Sequence, residues 1–125
     1  MNAQRPASLI GRRIPKMDAP EKAAGKTRYI QDLNLPGQLY GLILRTDRVH
    51  ARIVSIDTSA AKALPGVRAV LTAADVPAHP IGVNKDNPPL KGDVVRCERD
   101  EVAAVAADSL EIAQAALKLI KVEYE

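Results

Sequence analysis

The sequence predicts a mixed α+β domain with two main helices and a mixed sheet, and three observations support this fold class. Short runs rich in Val, Ile and Leu recur along the chain, each bounded by proline, glycine or charged residues, as strands are. Two alanine-rich stretches follow residues that favour helix starts. The chain has no internal repeat, and its 125 residues fit one domain with a core of its own.

The leading segment carries no sustained hydrophobic period. We expect residues 1–28 to form an extended arm that ends in a turn at Gly25, with residues 1–10 flexible and residues 11–125 forming the domain. A second turn is predicted at Pro36-Gly37, because proline and glycine fit the two central positions of a type II turn.

The first half of the domain is predicted as strand, strand, helix, strand. The apolar runs are too short for typical core helices, and the second is β-branched at three of its six positions. Thr58 and Ser59 favour a helix start, and Pro65-Gly66 ends that helix. The predicted elements are strands at 38–45, 52–57 and 67–71 and a helix at 60–64.

The second half contains longer connections. Residues 72–75, Thr-Ala-Ala-Asp, have the form of a capping box and predict a single helical turn. Residues 77–93 hold four prolines and predict a long surface loop that makes contacts. A second capping box at 108–111 opens the clearest helix of the chain. The remaining predicted elements are strands at 94–97, 102–107 and 120–125, with a charged turn at 98–101.

Composition restricts both the core and the function. Aromatic residues are scarce, with three Tyr and no Phe or Trp. The core must therefore consist of Ala, Val, Leu and Ile. Single-stranded nucleic-acid binding is disfavoured, because it relies on aromatic rings that stack on bases.

Positive charge is concentrated at the start of the chain. Residues 1–28 hold seven bases and two acids, whereas the rest holds eleven bases and thirteen acids. A basic arm can contact nucleic acid. We favour a solvated arm that lies across a neighbouring domain or subunit, because no helix or aromatic residue accompanies the charge.

Cysteine usage and hydropathy indicate a cytoplasmic protein. The single cysteine, Cys97, excludes an intramolecular disulfide and fits a reducing compartment. Its apolar neighbours Val94 and Val95 favour a strand cysteine over a reactive thiol. No apolar run reaches the length of a membrane span, and no signal peptide is recognisable.

The search for catalytic residues returns no candidate. His50 and His79 are far apart in sequence and lack metal-ligand spacing, so we expect a surface histidine and a hydrogen-bonding loop residue. No glycine-rich phosphate loop or serine elbow is present. Asp100 and Glu101 could serve as acid and base, but a solvated turn explains them better. We therefore predict no catalytic, cofactor-binding or metal-binding residue in this chain.

A series of segments nevertheless forms a specific pattern. In order, they are KAAGKTRYIQD at 22–32, LPGQLYG at 35–41, LR at 44–45, HARI at 50–53, IDTSAA at 56–61, LPGV at 64–67, TAADVP at 72–77, VAAVAA at 102–107 and IKVEYE at 120–125. Together they resemble the opening of the molybdopterin-binding large subunit of the xanthine dehydrogenase/aldehyde oxidase family. The spacing around Gly82-Val83, Asp86 and Leu90 is most similar to its 4-hydroxybenzoyl-CoA reductase branch.

The resemblance implies an α/β-hammerhead domain, truncated from a much longer subunit. That family oxidises its substrates at a molybdenum–pterin centre and passes electrons through [2Fe–2S] clusters, usually to FAD. The resemblance places the family's catalytic and cofactor segments downstream of this domain. It therefore implies a non-catalytic domain that packs against the molybdenum-cofactor domains and helps wall the substrate channel. The iron–sulfur and FAD domains or subunits are further implied partners.

One position departs from the family pattern. Where the family has a glycine between its two late strands, this chain has Arg99. If that glycine occupies a positive-φ turn, we expect Arg99 to be strained by about 1 kcal/mol.

Two rival functions stay open at this stage. The first is a free-standing hammerhead interaction module without catalytic activity, which Arg99 motivates. The second is a nucleic-acid-binding domain, which depends on the basic arm alone and would show steep salt dependence.

Overall fold

The computed structural model describes residues 11–77 and 79–125, and the chain divides into one unit up to Leu35 and another from Pro36 to Glu125. The predicted flexible arm at 1–10 lies outside the described residues. In the first unit, helix α1 (Ala19–Ala23) has Pro20 in its first turn. A 3₁₀ turn (Ile30–Asp32) follows it.

The prediction of an extended arm is wrong at α1. Pro20 has its φ preset for a helix, and its missing N–H costs nothing in a first turn. An ion pair of 2.6 Å between Lys22 Nζ and Asp18 Oδ2 adds support at helical spacing. The predicted turn at Gly25 is present, with φ of 64°.

The second unit confirms the α+β class and its two main helices. Among its described residues the elements in chain order are β1 (Tyr40–Arg45), β2 (Ala51–Asp57), α2 (Ser59–Ala63), β3 (Val67–Thr72), β4 (Val94–Val95), β5 (Glu101–Ala107), α3 (Leu110–Leu119) and β6 (Lys121–Tyr124). The turn before β1 is as predicted, since Gly37 has the positive φ of 75° that a type II turn requires.

The strands form two sheets rather than the single mixed sheet that the sequence suggested. Over the described residues, the strand orders are β1-β5-β3 and β4-β2-β6, and every pairing is antiparallel. Each main helix connects one sheet to the other: α2 joins β2 to β3, and α3 joins β5 to β6. Two parallel strands of one sheet must be joined by a crossover connection, and neither helix makes such a connection.

Side-chain hydrogen bonds explain where the observed helices differ from the predicted ones. The predicted helical turn at 72–75 is only a turn, in which the Asp75 carboxylate accepts from the Thr72 N–H at 2.8 Å. Helix α2 begins as predicted, but the carboxylate that accepts from the Ser59 N–H belongs to Asp57. At α3 the cap is Ser109, whose Oγ accepts from the Ile112 N–H at 3.3 Å.

The core is built from small aliphatic residues, as the composition predicted. Helices α2 and α3 pack on one face of the β1-β5-β3 sheet, where the buried cluster consists of Ala61, Val70, Ala103, Val105, Ala107, Ala113, Ala116 and Ile120. A second cluster supports the other sheet and consists of Ala51, Ile53, Val95 and Val102. Because Val102 lies on β5, that strand contributes to both clusters.

No helix in residues 11–77 and 79–125 has the length and apolar character that crossing a membrane requires.

Candidate functional site

The structure places the two histidines apart and at the surface. His50 is exposed just before β2, as predicted, and His79 is exposed in the long loop that precedes β4. Within the described residues, no three His, Cys, Asp or Glu side chains come together as metal ligands would. Neither histidine therefore belongs to such a metal-ligand cluster in residues 11–77 and 79–125.

Cys97 is not the strand cysteine that its neighbours suggested. Strand β4 ends at Val95, and Cys97 follows it with an exposed side chain. Its thiol donates to Asp100 Oδ1 at 3.2 Å. This hydrogen bond, helped by partial burial and by the negative charge of Asp100, raises the pKa of the thiol. A raised pKa leaves less of the nucleophilic thiolate at neutral pH.

A buried lysine lies under the end of the long loop. Lys91 is only 4% exposed, and its Nζ donates to Asn87 Oδ1 at 2.6 Å and to the carbonyl of Pro88 at 3.2 Å. The same Nζ lies 3.7 Å from Asp100 Oδ1 and 3.8 Å from Glu101 Oε2. We call these five residues the lysine clasp, because they tie the loop to the turn before β5.

Asp100 is buried, so the solvated turn predicted for it is wrong. The residue is 8% exposed, and its Oδ2 accepts from the N–H groups of Arg96 at 2.7 Å and Cys97 at 3.2 Å. Burial alone would raise the pKa of this carboxyl. The N–H groups, the Cys97 thiol and the charge of Lys91 outweigh it, so the pKa is lowered from its ordinary value of 3.8.

The same contacts explain why β4 stops earlier than predicted. The N–H groups of Arg96 and Cys97 donate to a side chain instead of a neighbouring strand. No sequence signal indicates these contacts, because Lys91 and Asp100 are nine positions apart and neither belongs to a motif.

Arg99 has the positive φ that the family pattern predicted, at 77°. Its N–H donates to the carbonyl of Thr46 at 2.9 Å, and its carbonyl accepts from Arg45 Nη1 at 2.9 Å. Hydrogen bonds on both sides of the residue therefore hold it in a conformation that disfavours a side chain.

Replacing Arg99 by glycine should raise the free energy of unfolding by about 1 kcal/mol, because glycine adopts this φ without a Cβ penalty. Chemical denaturation followed by circular dichroism measures the change. The matched control is Arg96→Gly, at an exposed position where no positive φ is present. If both variants lose stability equally, the strain at Arg99 is contradicted.

The loop that the clasp holds down borders a groove of about 350 Å³. Its lining is mostly apolar and proline-rich, with Val76, Pro77, Pro88, Pro89 and Val94, and it also includes the charged residues Lys91, Asp93 and Arg96. The close contact between Gly92 and Ala73 sets the width of the groove at one point. A Cβ added to Gly92 would lie only 2.6 Å from the Cβ of Ala73. The groove therefore combines a largely apolar wall with three charged residues.

The β1-β5-β3 sheet also has an open apolar face, on the side away from the helices. Two rows of side chains cross its three strands in register. The first row is Ile43, Ala104 and Leu71; the second is Gly41, Ala106 and Ala69. Ile43 is 46% and Leu71 39% exposed, and the six residues line a depression of about 340 Å³. We call this surface the open face.

The open face departs from the usual pattern of an antiparallel sheet, whose uncovered side is polar. Strand β5 reads Glu-Val-Ala-Ala-Val-Ala-Ala, with no polar residue after its first position. A continuous apolar run is typical of a strand buried on both faces. The apolar run of β5 is therefore the feature of the sequence that could have predicted this exposed apolar surface.

Comparison with known proteins identifies relatives of the fold. The profile of the family described as "Aldehyde oxidase and xanthine dehydrogenase, a/b hammerhead domain" matches residues 24–125. The structure of the Cu,Mo-CO dehydrogenase in its carbon monoxide reduced state superposes with a TM-score of 0.86 at 40% identity, over 92% of this chain and 15% of that one.

Two curated relatives agree with the structural match. A probable xanthine dehydrogenase subunit from Bacillus subtilis (strain 168) is 46% identical over 114 residues, or 86% of this chain and 15% of that protein. The carbon monoxide dehydrogenase large chain of Afipia carboxidovorans is 47% identical over 109 residues, or 81% and 13%. The chain thus spans about one seventh of the length of these relatives.

Proposed function

Because the chain belongs to the aldehyde oxidase and xanthine dehydrogenase family through its a/b hammerhead domain, we propose that it is the non-catalytic N-terminal domain of a molybdenum hydroxylase large subunit. In this role it packs against the molybdenum-cofactor domains. The intact enzyme would be an oxidoreductase, with the iron–sulfur and FAD groups on other domains or subunits. Its single cysteine, exposed and free, fits a cytoplasmic location.

The open face is the observation that carries the proposal. Six apolar residues in register on an uncovered sheet face make a domain poorly suited to work alone, since exposed apolar patches mark interaction surfaces. Neighbouring domains of the same subunit would remove this face from water.

Two features of the described residues support a molybdenum–pterin site that lies outside this chain. No cluster of metal-ligating side chains is present among them, and the buried charges of the lysine clasp already partner one another. We therefore assign no chemical step to this chain and propose that the rest of the large subunit binds the cofactor.

The groove beside the long loop supports a second element of the proposal, a wall of the substrate channel. Its mostly apolar lining would suit an uncharged or aromatic substrate, and Lys91, Asp93 and Arg96 are the residues of the lining that could orient it through polar contacts. The lysine clasp would hold this wall in place where Pro88 and Pro89 form it.

The test is the molybdenum and iron content of the native complex, captured from source cells with an antibody against this chain. We expect both metals in near-stoichiometric amounts. The purified 125-residue chain serves as the control and should retain no molybdenum and show no turnover. A captured complex with neither metal, whose recognised chain is no longer than 125 residues, would contradict the proposal and favour a free-standing interaction module.

A further inference from the structure

We propose that the groove beside the long loop binds a dipolar ligand, an apolar ring that carries an anionic group at one end and an N–H donor at the other. The anionic group meets Arg96, and the N–H donor meets Asp93. This inference rests on the proposed function and deepens it, because it assigns a chemical class to the molecules that the channel wall admits.

Of the three charged residues in the groove lining, Lys91 does not present its charge to a ligand. Its side chain is 5% exposed, and its ammonium group is already bonded to or paired with the other four residues of the lysine clasp. A ligand would have to break the clasp to reach it. The charge selectivity of the groove therefore depends on Asp93 and Arg96.

Asp93 and Arg96 are both exposed, and their charges are unpaired within the part of the chain that the structure describes. They line the same groove without forming an ion pair with each other. A ligand with a single charge meets one attractive and one repulsive group there, whereas a dipolar ligand meets two attractive ones. The pair of free charges therefore selects a dipolar ligand, which displaces no existing partner.

The backbone at both ends of β4 fixes where the two side chains begin. The Arg96 N–H donates to the buried Asp100 Oδ2 at 2.7 Å, and the carbonyl of Asp93 accepts from the Ile53 N–H at 2.6 Å. Because this backbone is already ordered, a ligand loses less free energy to ordering the site than it would on a mobile loop.

The spacing of the two charges limits the length of the ligand. Asp93 and Arg96 flank the two residues of β4, Val94–Val95. Extended backbone advances about 3.3 Å per residue, so the two Cα atoms lie at most about 10 Å apart. Val94 and the prolines of the long loop supply the apolar surface against which a ring packs. The groove volume of about 350 Å³ suits one ring with its two substituents.

The test is an NMR titration of the 125-residue chain with 4-(aminomethyl)benzoate, a ring that carries a carboxylate and an ammonium group. Benzoate and benzylamine, which each carry one of these groups, are titrated in parallel. The dissociation constants come from the amide shifts of Val76, Gly92 and Val94, which line the groove. We expect the dipolar probe to bind roughly fivefold more tightly than either singly charged probe, because each exposed charge pair adds a modest attraction.

Charge-neutral variants assign each end of the probe to a residue. Arg96→Gln should weaken binding of the dipolar probe and of benzoate by roughly threefold, without weakening that of benzylamine. Asp93→Asn should weaken binding of the dipolar probe and of benzylamine, without weakening that of benzoate. The matched control is Arg99→Gln, at an exposed arginine outside the groove lining, and it should bind all three probes as the parent does.

Three outcomes would overturn the inference. These are the absence of saturable shifts at the groove residues, equal affinity for the dipolar and singly charged probes, and equal effects of the Arg96→Gln and Arg99→Gln substitutions. The proposed function is tested separately by the metal content of the native complex. A complex that contains both metals, from a chain whose groove does not bind the dipolar probe, would contradict this inference alone.

Discussion

Replacing Asp100 by alanine is expected to lower the free energy of unfolding by about 3 kcal/mol, because the substitution leaves a buried ammonium without its closest buried carboxylate. Lys91 Nζ would keep Asn87 and Pro88 as neutral acceptors, with Glu101 the remaining anion at 3.8 Å. The N–H groups of Arg96 and Cys97 would also lose their acceptor. Urea denaturation followed by circular dichroism measures the loss.

Two comparisons separate this effect from the loss of a generic ion pair. Asp47→Ala removes an 83% exposed carboxylate that pairs with Arg48 at 3.4 Å, and should change stability by less than about 0.5 kcal/mol. Combining Lys91→Met with Asp100→Ala should recover much of the loss, since an apolar replacement of a buried pair is often tolerated. An Asp100→Ala effect no larger than that of Asp47→Ala would contradict the clasp.

Measuring stability as a function of pH tests the contribution of Asp100 a second time. The pKa of Asp100 is lowered in the folded chain, so its contribution to stability is present above its ordinary value of 3.8 and is lost as pH falls through the lower folded value. The Asp100→Ala protein lacks this contribution at every pH. The difference in stability between parent and variant should therefore shrink below about pH 3.8.

How much of the fold could be predicted depended on how far apart in the sequence the interacting residues lie. Gly37 and Ser109 act on neighbours within three residues, and the turn and helix that they favour are present where predicted. Strand β5 was predicted from its short apolar run, and the aliphatic core was predicted from the composition. The division into two sheets could not be predicted, because it depends on which distant strands pair, and the element order is compatible with either arrangement.

The candidate site was less predictable, for a physical reason. Asp100 has a charged, turn-like sequence around it, and only the three-dimensional fold brings Lys91 and the loop over it. Arg99 was the exception, since the family pattern showed a glycine position and the structure has φ of 77° there. The clasp and this strained residue are adjacent, and the Thr46 N–H donates to the carbonyl of Asp100 at 3.0 Å. Buried polar contacts thus hold the strain in place.

The second core cluster makes a similarly large prediction. Ile53→Ala is expected to lower the free energy of unfolding by about 3 kcal/mol, through lost apolar burial and the cavity left behind. Ile53 is 7% exposed on the central strand of the β4-β2-β6 sheet. The other buried members of the cluster, Ala51, Val95 and Val102, are smaller than isoleucine, and Ile56, Val122 and Tyr124 pack against it only partly buried. Urea denaturation under the conditions used for Asp100→Ala measures the loss.

The neighbouring residue supplies the control for that measurement. Val54 lies on the same strand but is 58% exposed, so Val54→Ala removes methyl groups without opening a cavity and should change stability by less than about 0.5 kcal/mol. The partly buried Ile56 and Val122 pack against both clusters, and a loss at Ile53 should therefore appear as one cooperative transition. A larger effect at Val54 than at Ile53 would mean that β2 has the opposite register, with its alternate residues facing solvent.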